Sequence, residues 1–426
     1  MRSDEDLRQV LLDQREELRA PPPTGKWVPR IQERALREAL RRPLIKVIMG
    51  VRRSGKSVLA RLALAGEEFV YVNFDDERLA WLRTGDLQRL EKTAVALWPS
   101  ARLWLLDEIQ NVPDWELFVN RLHRAGQNLV ITGSNSKLLS RELATHLTGR
   151  YVAIELFPFS FREFLSARGQ SPPGRTVTSR ERAGLEEKLR EYALGGGFPE
   201  VVLSGTSGAY LRELHDKIVS RDIAARYRVK YPRTLKELSL YCFSNPATPM
   251  TYNRIQRTFD FKSVHTAGNY LHFLEEAYLV LTARPFAFKF HEQVRQARKV
   301  YTIDNGLTLA LSTKVSQDRG ALLENLVFQE LRRRGADAYS LTQPDYAVDF
   351  LVREDRRVAQ LIQVCAALET PETIAREYRA LHKGARATRC RNLLLLTPEG
   401  ADPGGRWVAP GPKVRVEALW RWLLEE

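Results

Sequence analysis

"LIKVIMGVRRSGKSVLARL", Leu44 to Leu62, decides how the first half of this chain folds. An apolar run, Leu44 to Met49, has the length of a buried strand. It leads into Gly50-x-x-x-x-Gly55-Lys56-Ser57, and Val58, Leu59 and Leu62 then fall at helical spacing. Strand, glycine loop and helix in this order form a phosphate-binding loop. Glycines let the backbone wrap an anion closely, and the N–H groups at the helix start face it. The loop residues Gly50, Arg53, Ser54, Gly55, Lys56, Ser57 and Val58 are the expected nucleotide contacts. Lys56 is expected on the β- and γ-phosphates of ATP, and the Ser57 hydroxyl on Mg²⁺.

Such a loop needs a second strand ending in acid. "ARLWLLDEIQNVPDW" supplies one: Leu103 to Leu106 form a buried run, and Asp107 and Glu108 sit at its carboxyl end, where α/β folds place their chemistry. Asp107 is expected to hold Mg²⁺ through its water shell, and Glu108 to orient the attacking water. A third strand, "NLVITGSNS", brings Ser134 or Asn135 toward the γ-phosphate as a sensor. After the helical stretch "KLLSRELATHL", the Thr148-Gly149-Arg150 junction opens a new strand. Arg150, or as second choice Arg141, is the expected arginine finger reaching a neighbouring subunit's nucleotide.

Taken together, "GVRRSGKS", "LWLLDEIQ", "ITGSNSKLLSRELATHLTGRY", "ELFPFSFREFL" and "YALGGGFPEVV" resemble the prokaryotic AAA-type (AAA+) P-loop ATPases that carry a C-terminal domain of unknown function. The resemblance runs from about Arg30 to the end of the chain. It implies an α/β core with a parallel sheet, a helical lid, a winged-helix domain and a restriction-endonuclease-like α/β domain. Expected boundaries are an N-terminal arm or linker over 1–28, the ATPase core over 29–160, the lid over 161–230, the winged helix over 231–312 and the nuclease-like domain over 313–426. The resemblance also places Gly197-Phe198-Pro199 of the lid, Pro199 included, close to bound nucleotide. By residue type alone the same element reads as a helix terminator.

Within the third of these domains, Ser263, Thr266 and Asn269 are the polar positions of the expected recognition helix, "FKSVHTAGNYLHFLEE". In the fourth, the amphipathic "RGALLENLVFQELRRRG" contains Glu324, "YAVDFLVR" contains Asp349, and "QLIQVCAAL" contains Gln363 and Cys365. A helix from about Pro371, the strand "NLLLLT" and a closing helix "EALWRWLL" follow. Glu324 and Asp349 match acidic positions of a metal-dependent nuclease. Gln363 and Cys365 stand where that resemblance would put Glu and Lys, so a domain that holds nucleic acid without cutting it is the expectation.

Bulk composition narrows the rest. A formal charge of +14 with pI near 9.7 favours a polyanionic partner, although an Arg-rich genome or heat adaptation would inflate the charge as well. Hydrophobic residues at 44% and charged residues at 28% describe a folded globular chain. No apolar run is long enough for a membrane helix, the start is too charged for a signal peptide, and three scattered cysteines form neither a disulfide framework nor a zinc motif. A cytoplasmic location is expected. The function these features point to is a DNA-dependent ATPase in an oligomer, expected as a hexameric ring, acting on branched DNA such as forks or Holliday junctions. Two alternatives stay open: a nucleotide-operated signalling or defence switch acting on a protein, and an ATP-driven nuclease.

Overall fold

The computed structural model describes residues 3–20, 25, 27–134, 149–174, 176–206, 208–314, 318–400 and 411–425, and the counts below refer to these. The chain divides into two compact units, residues 1–157 with 276–278, and 158–275 with 279–426.

In the first unit, β1 (Ile45–Met49), β2 (Phe69–Asn73), β3 (Leu103–Asp107), β4 (Asn128–Gly133) and β5 (Tyr151–Glu155) make a parallel sheet in the order β2-β3-β4-β1-β5. Every residue of β1 and β3 is buried, Lys46 and Asp107 included, as in the mainly apolar strands of a parallel sheet covered on both faces. Helices α2 (Gln32–Leu40) and α3 (Lys56–Ala63) bury Leu36, Leu59, Ala60 and Ala63 against Ile48, Leu105 and Val130. The N-terminal segment contains helix α1 (Asp4–Arg19), which buries Leu7, Val10 and Leu11. Its Gln14 side chain donates to the Asn73 carbonyl and to Asp76, while its carbonyl accepts the Asn73 N–H, so α1 is pinned to the end of β2.

The second unit begins with helices α4 (Phe161–Ala167), α5 (Ser179–Gly195) and α6 (Pro199–Ser204). The "PFSFREF" stretch earns its pattern as a capping box. Ser160 Oγ accepts the Glu163 N–H at 3.2 Å, and Glu163 Oε2 accepts the Ser160 N–H at 2.9 Å. The "GGF" stretch is a close-packed joint. Gly197 N–H donates to Asp304 Oδ2 at 2.6 Å, its carbonyl accepts the Phe159 N–H at 2.7 Å, and a Cβ on Gly197 would lie 2.3 Å from the Phe159 carbonyl oxygen. Gly197→Ala therefore forces backbone apart, and a loss of about 2–3 kcal/mol is expected in a denaturant melt of the whole chain. Full stability in that variant would show that the joint yields freely.

Asp304, wholly buried, has its carboxyl pushed up to about 6 by burial, against the N–H groups of Gly197, Leu307 and Gly306 that favour the ionised form. A raised carboxyl contributes stability that is complete below the ordinary carboxylate range and is lost as pH rises through the raised value. Asp304→Asn should flatten that part of the profile between about pH 4 and about pH 7, by roughly 2–3 kcal/mol. Melting curves of both forms across this range check it; parallel profiles would contradict it.

Beyond these helices come α7 (Gly208–Lys217), a π-helical stretch over Ile218–Ala225, α8 (Pro232–Ser244), β6 (Thr248–Met250), α9 (Tyr252–Thr258), α10 (Val264–Glu276), β7 (Val280–Pro285), a short helix over Phe290–Arg295 and β8 (Arg298–Thr302). The remainder is α11 (Asn305–Leu311), α12 (Arg319–Arg333), β9 (Asp337–Gln343), β10 (Tyr346–Glu354), β11 (Arg357–Val364), α13 (Pro371–Thr388), β12 (Leu393–Thr397), β13 (Val414–Ala418) and α14 (Leu419–Trp422). Glu417 and Ala418, expected in the closing helix, lie on β13 because their backbone pairs with β12.

One sheet in the order β13-β12-β11-β10-β9-β7-β8-β6 unites all eight strands of this unit. Its junction is the parallel pairing of β7 with β9, Arg284 opposite Tyr339 and Pro285 opposite Ser340. The strands expected in two separate domains thus share one hydrogen-bonded ladder.

Candidate functional site: a phosphate-binding loop and a lysine-filled acidic cluster

The order β3-β4-β1 sets the ends of three strands side by side, so Asp107, Thr132 and the loop after Met49 meet at one edge. Gly50 is required there: a Cβ at this position would lie 2.0 Å from the Leu156 carbonyl oxygen. Gly55, at φ +93°, turns the chain into α3. Lys56 is only 4% exposed, and its Nζ donates to the Gly50 and Val51 carbonyls at 3.2 Å each. Glu108 Oε1 lies 3.5 Å from the same ammonium.

Asp107 is fully buried. Burial and the neighbouring Glu108 push its carboxyl up, opposed by hydrogen bonds from Thr132 and Ser57 and by the Lys56 charge. Thr132 bridges the acidic pair, its hydroxyl donating to Asp107 Oδ1 and accepting the Glu108 N–H at 3.1 Å. Glu108 takes a left-handed backbone, φ +52°, which turns its side chain away from the strand direction. Burial alone would raise its carboxyl. Lys56, a hydrogen bond from Gln110, the Arg52 charge and the Ser134 hydroxyl outweigh this and hold it below the usual range. Glu108 is therefore an ionised acceptor at neutral pH.

These residues fit a nucleotide and its cation. The Ser54 hydroxyl is buried with no hydrogen-bond partner among the described residues, inside a loop whose neighbouring N–H groups begin a helix. Ser57 and Asp107, near enough for the Ser57 hydroxyl to favour the ionised Asp107 carboxyl, are the two residues that would hold Mg²⁺, which would neutralise phosphate charge. Arg30 shapes the loop from outside: its guanidinium donates to the Ser54 and Phe157 carbonyls, at 2.7 Å each.

Ser134 lies beside Glu108, whereas Asn135 and Arg141 fall outside the described residues. Arg150 is exposed at the opposite edge of the sheet, where its carbonyl accepts the Ile45 N–H at the start of β1. The five residues of β1, roughly 15 Å, separate it from its own loop. There it lines a cavity of about 560 Å³ with Asn120, Arg121 and Arg124. Pro199 starts α6 in the second unit.

In the second unit Glu324 of α12 and Asp349 of β10 do come together, and the ammonium that Cys365 cannot supply arrives from elsewhere. Lys299 of β8 donates to Glu324 Oε1 at 2.8 Å and to Asp349 Oδ1 at 3.2 Å. Tyr301, two residues on and so on the same face of the strand, donates to Glu324 Oε1 at 2.6 Å. Asp349 Oδ2 accepts the Val364 N–H at 3.0 Å, and Gln363 Oε1 accepts the Asp349 N–H at 3.2 Å. Glu324 is pushed up to about 7 by burial and by Asp349, against Lys299 and Tyr301. Cys365 is buried, its thiol raised by burial, with Sγ donating to the Ala367 carbonyl at 3.1 Å.

Thr132, Arg30 and Lys299 were not picked out from sequence. Thr132 carried a weak signal as the polar residue closing the "LVIT" run. Lys299 carried one as a cation alternating with Tyr301 on a strand.

Comparison with known proteins agrees with the geometry. The AAA domain model matches residues 42–165, and a model described as a domain of unknown function (DUF8612) matches residues 186–318. The fold and loop define an AAA-type P-loop ATPase. The uncharacterized protein MJ1544 of Methanocaldococcus jannaschii is 34% identical over 397 residues, 89% of this chain and 88% of that protein. An uncharacterized protein of Haemophilus influenzae is 34% identical over 356 residues, covering 79% and 86%. This chain belongs to the same family as these two proteins. Among solved structures, the Walker-type ATPase PABY2304 of Pyrococcus abyssi is similar at 14% identity with a TM-score of 0.45, over 68% of this chain and 97% of that one. No helix among the described residues is long and apolar enough to cross a membrane.

Proposed function

We propose that the chain is a DNA-dependent ATPase whose second unit grips duplex DNA through α10 and the loop after β7. The observation that carries this reading is the order α8-β6-α9-α10-β7-β8, broken between β7 and β8 only by a short helix over Phe290–Arg295, which follows the helices-then-two-strands order of a winged helix with polar and basic residues exposed. Ala267, Tyr270, Leu271 and Leu274 of α10 are buried, while His265, Asn269 and His272 are exposed on its other side. Arg254 and Arg257 of α9 and Lys262 just before α10 are exposed as well, and the loop after β7 carries Lys289 beside Phe288, which is 69% exposed. Ser263, expected among the reading positions, caps the helix instead, its Oγ accepting the Thr266 N–H at 3.1 Å.

In this reading ATP hydrolysis at Lys56, Asp107 and Glu108 drives an oligomer, a hexameric ring, in which Arg150 of one subunit completes its neighbour's site. Branched DNA, forks or Holliday junctions, is the substrate. Basic side chains contact phosphates and account for affinity, while α10 sets the register on the duplex.

ATP turnover measured without DNA and with duplex, single strand, fork and four-way junction tests this reading. Stimulation is expected to be largest with the branched forms. A double substitution, Arg254→Glu with Arg257→Glu, should weaken duplex binding about 10-fold or more while leaving DNA-free turnover unchanged. No response to any DNA would move the reading to a switch acting on a protein partner, and metal-dependent cutting lost on Asp349→Ala would move it to a nuclease.

A further inference from the structure

A nuclease-like arrangement of Glu324, Asp349 and Gln363 implies a divalent cation, and the residues present do not fit one. We propose that the Lys299 ammonium is the resident cation of this site, closing it to divalent metal and turning the cluster into a fixed joint between β8, α12 and β10.

Mg²⁺ asks for about six oxygen ligands in a near-octahedral shell. Here three of the four carboxylate oxygens are already committed. Glu324 Oε1 takes both Lys299 and Tyr301, Asp349 Oδ1 takes Lys299, and Asp349 Oδ2 takes the Val364 N–H. Gln363, the residue standing in for an acid, has its single oxygen on the Asp349 N–H. Asp349 cannot turn toward a metal without abandoning the ammonium or the Val364 N–H, and the remaining Glu324 oxygen is far short of a six-oxygen shell. Nor can both cations share the pair: a metal on the same oxygens would sit within about 4 Å of Nζ, and repulsion there is poorly screened by solvent. Lys299, Glu324 and Asp349 side chains are each 13% exposed.

The surroundings make Lys299 hard to displace. Tyr301 stacks on Phe328 of α12, with ring centroids 4.1 Å apart, which fixes β8 against that helix. Asn325 and Gln329 of α12 donate to the Thr302 carbonyl, and Asn325 Oδ1 accepts the Thr302 N–H at 2.8 Å. The backbone that presents Lys299 is thus tied to the helix that presents Glu324. Removing the ammonium leaves two carboxylates facing one another with only the Tyr301 hydroxyl beside them; such a pair holds a proton in the absence of metal, and a divalent cation in excess would displace that proton and take the place of Lys299.

The test uses Mn²⁺ alone as probe, followed by electron paramagnetic resonance on the full chain without nucleotide. Wild type, Asp349→Asn, Lys299→Met and the double variant Lys299→Met/Asp349→Asn are compared. Wild type should bind no more Mn²⁺ than Asp349→Asn does. Lys299→Met should gain one site, at least about 10-fold tighter than any wild-type binding, and the double variant should lose it again. A wild-type site that vanishes on Asp349→Asn overturns the proposal, as does a folded Lys299→Met chain that gains no site. If Lys299→Met does not fold, the wild-type and Asp349→Asn pair still decides. Mn²⁺-dependent DNA cutting by wild type that fails in Lys299→Met also overturns it, making Lys299 the water-activating lysine instead.

Discussion

Glu108→Gln is expected to leave ATP bound and to cut its turnover about 10²–10³-fold. The substitution preserves shape and removes the charge, and the charge is what the local structure maintains. The left-handed turn at Glu108, with its N–H held by Thr132, aims the carboxylate at the loop, 3.5 Å from Lys56. Lys56, Gln110, Arg52 and Ser134 together keep it ionised despite burial. An ionised, dry carboxylate beside the phosphate loop can polarise a water and accept its proton; an amide there can only orient one. Phosphate release gives kcat, and a fluorescent nucleotide gives Kd. Turnover within about 10-fold of wild type would remove Glu108 from this role, and a lost Kd would show that the charge acts in binding.

Arg30→Ala should destabilise the first unit by about 3 kcal/mol and weaken nucleotide binding with it. The guanidinium is 5% exposed and satisfies two carbonyls, one in the phosphate loop at Ser54 and one just beyond β5 at Phe157. Truncation leaves both carbonyls buried without that donor, and the full desolvation cost of unpaired groups then applies. The loop loses its brace at the residue preceding Gly55. Arg30→Lys should recover only part, since an ammonium cannot reproduce a fork that spans two acceptors. Thermal melting and ATP titration of the three forms check this; an Arg30→Ala chain that melts like wild type would show the brace to be idle.

Both variants rest on residues that differ in how they can be found. Glu108 follows Asp107 after four apolar residues, a pattern confined to one strand. Arg30 lies 127 positions from Phe157, and no local pattern announces that contact. Thr132 is intermediate, visible as a polar strand end but meaningful only once β4 is known to lie beside β3. The expected boundary between a winged helix and a nuclease-like domain came from the family resemblance. That β7 pairs with β9 across this boundary could not be read the same way, because ladder register depends on which edges meet.

By itself the sequence determined the phosphate loop, the acidic strand end and the alternation of strands with helices. These depend on the order of residues within a single strand, turn or helix, where steric and hydrogen-bonding preferences act over a few residues. Tertiary structure alone decided what fills the second acidic site. Lys299 stands 25 residues before Glu324 and 50 before Asp349, and an eight-stranded ladder brings its ammonium between their carboxylates. The missing lysine was sought at Cys365 because a linear pattern places it there. A charge acts through distance in space, and here the fold supplied it from another strand.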